Sequence, residues 1–83
     1  MEKNRGDYIT IGYVLIDTIP EKENEVYNSL SNEKRIIALN PIFKDTNFDL
    51  MAKIKMRNYK KLRSYVFKKI QPLDGVIDTD IYC

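Results

Sequence analysis

Glu21, Glu23 and Glu25 are carboxylates of the kind that acid–base chemistry uses, set two residues apart. The other concentration of charge is basic. Between Asp49 and Asp74 no acid occurs, while Lys53, Lys55, Arg57, Lys60, Lys61, Arg63, Lys68 and Lys69 all carry a cation. The glutamates fall in the first turn of a predicted helix, where anions offset the positive end of the dipole and no apolar shell raises a pKa. They read as dipole partners. The cations read first as a solvated face or as a complement to the acids of the first helix, and second as a surface for an acidic partner or a phosphate backbone. Histidine is absent, which removes the commonest general base near neutral pH and the commonest metal ligand. The lone cysteine, Cys83, ends the sequence, so it makes no intrachain disulfide and offers no metal-ligand spacing. With no glycine-rich phosphate loop, nucleophile elbow or paired-cysteine motif, the chain is expected to have no catalytic residue, no metal and no cofactor.

The elements that must position any site are arranged about the stretch from Ile36 to Met56. Ile36, Ile37, Ile42 and Phe43 mark a strand from Ile36 to Lys44. Leu50, Ala52, Ile54 and Met56 then alternate with Met51, Lys53 and Lys55 as the next strand. Asp45, Thr46 and Asn47 between them suit a tight hairpin turn. Asn40-Pro41 places the earlier strand at a sheet edge or at a bulge, because proline cannot donate to a ladder. Before the hairpin, Tyr8 to Thr18 reads as a strand apolar on both faces, with Ile9, Ile11, Tyr13 and Leu15 on one and Val14 and Ile16 on the other. A helix from Glu21 to Ser31 follows, with Thr18 as its cap, Pro20 in its first turn and Val26 and Leu30 on its inner stripe. After the hairpin, Asn58 caps a helix from Tyr59 to Ile70 whose Tyr59, Leu62, Val66 and Ile70 face the core. Gln71 to Gly75 supplies stop and turn signals before a last strand from Val76 to Tyr82.

The order βαββαβ predicts an α+β ferredoxin-like sandwich, a four-stranded antiparallel sheet with both helices on one face. The other face is left bare, and covering it with a second copy of the chain is the economical solution. At 83 residues, 43% hydrophobic and 31% charged, the sequence suits one globular domain, residues 8–83, after a flexible N-terminal arm, residues 1–7. No apolar run reaches membrane-spanning length and the first residues lack the apolar middle of a signal peptide, so a cytoplasmic protein with no membrane partner is expected. A net charge of +2 does not by itself imply nucleic acid.

Four stretches resemble the ligand-binding, or RAM, domain of Lrp/AsnC transcription regulators. Residues 13–20 (Tyr13-Val14-Leu15-Ile16-Asp17-Thr18-Ile19-Pro20), followed by Glu25, Val26 and Leu30, look like its first strand and helix. Thr46-Asn47-Phe48-Asp49-Leu50 resembles its Gly-x-Tyr-Asp-Leu turn, with Thr46 in place of the glycine. Leu62-Arg63-Ser64-Tyr65-Val66 is similar to its second helix. Asp74-Gly75-Val76-Ile77-Asp78-Thr79 is similar to its Pro-Gly-Val-x-x-Thr turn and last strand, with Asp74 in place of the proline. The resemblance spans about residues 8–82. It implies an effector-sensing and oligomerising module, a homodimer that assembles into higher homo-oligomers and binds an amino acid or similar small molecule between dimers. With only a short arm ahead of the first strand, it implies a stand-alone form without its own DNA-binding domain, with no direct DNA binding and with a full-length Lrp/AsnC regulator as an expected partner. Carried over by position, the ligand-binding residues it implies are Asp45, Thr46, Asn47, Phe48, Asp49, Asp78, Thr79 and Asp80. Carboxylates there would hold an ammonium group, while turn N–H groups and hydroxyls would hold a carboxylate.

Three rival readings share parts of this pattern. An ACT-like amino-acid-binding regulatory domain has the same strand order but a glycine-rich first turn, where this chain has Asp17-Thr18-Ile19-Pro20. A small dimeric α+β barrel enzyme would share the apolar second face, and the lack of histidine and of a buried acid–base pair argues against it. An RNA-recognition module would need stacking aromatics where the third strand carries Met51, Lys53 and Lys55.

Overall fold

The computed structural model describes residues 9–42 and 48–83. The expected N-terminal arm and the expected turn at Asp45, Thr46 and Asn47 lie outside the described residues. Strand β1 runs Thr10–Thr18, helix α1 Glu23–Leu30 behind a single 3-10 turn at Pro20–Lys22, β2 Ile36–Pro41 and β3 Leu50–Met56. Helix α2 runs Tyr59–Tyr65 and continues as a wider turn over Val66–Ile70, and β4 runs Val76–Tyr82. The sheet has the order β2-β3-β1-β4 with every neighbouring pair antiparallel. This is the ferredoxin-like arrangement that the element order predicts.

Alternation along the two central strands decides what each face presents. Val14 and Ile16 of β1 and Leu50, Ala52 and Ile54 of β3 are buried, and they pack with Val26 and Leu30 of α1 and Leu62, Val66 and Ile70 of the second helical segment. Leu62, Val66 and Ile70 recur every four residues, a spacing that drifts by about 40° per step on a regular α-helix. The turn at Val66–Ile70 is π-helical, with Gln71 N–H donating to the Val66 carbonyl at 2.9 Å, and its larger number of residues per turn offsets that drift and keeps Ile70 on the inner side. Tyr59, expected on this stripe, is instead 49% exposed and lies beneath the Arg63 guanidinium. Asn58 caps α2 as its side chain predicts, accepting from the Lys61 N–H at 2.8 Å.

Gly12 and Gly75 are each required by their surroundings. A Cβ on Gly12 would collide with the buried Leu62 side chain, so α2 rests directly on the β1 backbone there. Gly75 has a φ of 101°, a left-handed conformation, and a Cβ would stand 2.6 Å from that of Lys22. The turn it makes lets its carbonyl accept from Ile19 N–H at 2.8 Å, and Lys22 bonds Asp74 beside it. The bulge in β2 lies between Ile36 and Ala38 rather than at Pro41, and β2 is the edge strand that proline requires. Among the described residues no helix is long and apolar enough to cross a membrane.

Candidate effector site at the hairpin end of the sheet

Asp49 is held at the junction of three strands. Its N–H donates to the Ile16 carbonyl and its carbonyl accepts from Ile42 N–H, both at 2.9 Å, so its backbone cannot shift without opening the ladder on either side. One carboxylate oxygen, Oδ2, accepts from the Thr18 N–H at 2.9 Å and from the Thr18 hydroxyl at 3.1 Å. Thr18 is 2% exposed, and these two bonds satisfy polar groups that would otherwise be costly to bury. The hydroxyl expected to cap the first helix is thus committed to Asp49, and the helical turn that begins at Pro20 has no side-chain cap.

Asp17 lies on the face of β1 away from the helices and pairs across the sheet with Asp78 of β4. Burial, followed by the charge and hydrogen-bonding reach of Asp49 and then the charge of Asp78, pushes the Asp17 carboxyl above its ordinary range. Asp17, Asp49 and Asp78 therefore share one electrostatic neighbourhood, and among the described residues none of the three has an ion-pair partner. Carboxylates in one neighbourhood attract cationic groups, and an ammonium group pairs with them through charge-assisted hydrogen bonds. The described residues hold no group of side chains able to bind a metal ion.

The other candidates fall into different places. Asp80 shares the open face with Asp78 but stands opposite Leu15, and its Oδ2 accepts from the Tyr82 hydroxyl at 2.8 Å. Thr79 points to the opposite face, where its hydroxyl accepts from the Gln71 amide at 2.8 Å. Phe48 is half-buried beside Asp49 in sequence, and Asp45, Thr46 and Asn47 lie outside the described residues. Sequence reasoning missed Asp17. The available signal was its charge on the otherwise apolar face that carries Ile11, Tyr13 and Leu15.

The raised Asp17 pKa makes a signed prediction. Its contribution is favourable below the ordinary carboxylate range, where the group is protonated, and is lost as pH rises through the folded-state value. Above that value its surroundings disfavour the charged form of Asp17. Asp17→Asn is therefore expected to raise the thermal midpoint of the ligand-free protein by roughly 2–4 °C at neutral pH, taking about 0.5 kcal/mol for a partly solvated repulsion. At pH 3 the gain should vanish. Thermal scans at the two pH values check both signs.

No family model and no curated protein matches the sequence, but solved structures share its fold. FFRP-DM1 superposes with a TM-score of 0.77 at 21% identity, covering 86% of this chain and 92% of that one. AsnC of Escherichia coli gives 0.76 at 13% identity, over 98% of this chain and 55% of that one. A transcriptional regulator from Neisseria meningitidis, solved as a complex with L-Met, gives 0.77 at 8% identity, over 92% of this chain and 49% of that one. The chain thus spans about half the length of the two regulators.

Proposed function

We propose that this chain, which has the Lrp/AsnC effector-domain fold, is a non-catalytic sensing module that self-associates through its open sheet face and binds an amino acid or similar zwitterion at the hairpin end of the sheet. The observation that carries the reading is the cluster of Asp17, Asp49 and Asp78, anionic and without an ion-pair partner among the described residues. It supplies the ammonium-binding half of a zwitterion site. The carboxylate-binding half falls to the turn, Asp45 to Phe48, and to a neighbouring dimer that closes the pocket. The L-Met bound to the Neisseria regulator supports an amino acid as the ligand class.

The open face supports self-association. It presents Ile11, Tyr13 and Leu15 from β1 and Met51 from β3 beside the charged side chains of the flanking positions. A ligand that bridges dimers shifts the assembly equilibrium by its own binding free energy, which gives control without catalysis. A full-length regulator of the same fold is a partner through which that control could reach DNA.

Thermal-shift and calorimetric screening against the standard amino acids tests the ligand. One or a few are expected to bind the wild type, with binding weakened by about tenfold or more in Asp49→Ala, which removes a charge-assisted contact and frees Thr18. Thr46→Gly is expected to preserve or tighten binding. If no amino acid stabilises the wild type and neither substitution alters assembly, the turn serves only to make the hairpin and the chain is a structural oligomerisation module.

A further inference from the structure

The end of the sheet opposite the aspartates carries a cluster of cations. β1 and β3 run from the Ile16–Leu50 pair at the acidic end to the Thr10–Met56 pair at the other. There Lys34, Arg35, Lys55 and Arg57 line a cleft of about 490 Å³, and Arg35 and Arg57 continue with Lys61 into an adjoining cleft of about 370 Å³. Among the described residues none of these five cations takes part in an ion pair. The neighbouring acid in sequence, Glu33, accepts from the Tyr65 hydroxyl at 2.7 Å instead.

Backbone bonds bring the cations together. Lys55 N–H donates to the Arg35 carbonyl at 3.0 Å, which fixes the start of β2 against β3, and the Asn58 cap fixes Lys61. A solvated basic face spreads its charges over a convex helix. Here they line an open concavity, where the fields of several like charges add. Paired arginines suit the bidentate geometry of phosphate oxygens, and added lysines supply further point charges. The cleft lies at one end of the open sheet face, away from Leu15, and exposes apolar side chains, with Ile9 57% and Ile37 50% uncovered in the single chain, and its volume lies within the range of small-molecule sites.

We infer that this cleft binds a phosphorylated small molecule of the nucleoside polyphosphate class, its phosphates held by Arg35, Arg57 and the three lysines and its base resting on Ile9 and Ile37. The site is separate from the aspartate cluster, so its occupancy is independent of the amino-acid reading and could report a second signal to the same module.

Titration of the full chain with ATP, GTP, tripolyphosphate and a short DNA duplex, by calorimetry and thermal shift without divalent cations, tests it. A nucleoside triphosphate is expected to bind saturably, more tightly than tripolyphosphate and less tightly as salt rises. The double variant Arg35→Gln/Arg57→Gln should weaken it by about tenfold or more, in keeping with the loss of charge-assisted bonds. Lys68→Gln/Lys69→Gln, from the same basic run but outside the cleft, should leave it unchanged. All four positions are exposed, and unchanged circular dichroism confirms that the variants fold. The inference is overturned if no nucleotide binds saturably, if the two double variants weaken binding equally, if tripolyphosphate binds as tightly as the nucleotides, or if only the duplex binds.

Discussion

Leu15→Asp is expected to abolish the proposed self-association and leave a monomer. Leu15 lies near the middle of the open sheet face, paired with Met51 on one side and with Asp80 on the other, and it is half-buried even in the single chain. Covering this face with a second copy would bury the new carboxylate beside the like charges of Asp17 and Asp80. An unpaired charge at such an interface costs several kcal/mol, so a loss of about 3 kcal/mol, or roughly a hundredfold in the dimer constant, is expected. The side chain faces away from the helices, so the monomer should keep its fold. Sedimentation velocity across a concentration series measures the change. A dimer constant equal to that of the wild type would place the contact on another surface.

Gly12→Ala is expected to lower stability by about 1–3 kcal/mol, the usual range for overpacking a filled core. The new methyl group must displace the side chain of Leu62, which is 0% exposed and has little room to move. In a domain of this size the midpoint should fall by roughly 4–8 °C for each kcal/mol, measured at fixed protein concentration. Leu62→Ala alone should cost about 2–5 kcal/mol through the cavity it leaves. The double variant should cost less than the sum, because the alanine at position 12 enters space that leucine has vacated. Strict additivity would show that the helix and strand are not in the close contact that Gly12 permits.

The fold was legible because hydrophobic spacing and punctuation agreed across the described elements. Val14 and Ile16 alternate, Val26 and Leu30 recur at helical spacing, and Asn58 and Gly75 mark a helix start and a turn, each as found. The errors came from residues whose side chains take partners that spacing alone does not reveal. Thr18 precedes a helix and so looked like a cap, but Asp49, thirty-one positions away, takes its hydroxyl. Tyr59 fits a stripe by spacing, yet it is exposed and its ring lies beneath the Arg63 guanidinium instead. The candidate site was visible in pieces. Asp49 and Asp78 were named by resemblance, whereas Asp17 joins them only through the antiparallel register of β1 with β4. The basic cleft was visible only as a charge run, since Lys34 and Arg35 precede β2 and meet Lys55 and Arg57 by strand pairing.

Native mass spectrometry of the intact protein, titrated with the amino acid that gives the largest thermal shift, tests the central claim most directly, because it reads subunit number and bound ligand together. The account predicts that ligand mass is retained on assembled species and not on monomer, and that the distribution moves toward the larger assemblies as ligand is added. The Asp17→Asn variant should lose that response while remaining folded and at least as stable at neutral pH. Ligand retained equally by monomer and oligomer, or assembly that does not respond to any amino acid, would contradict it.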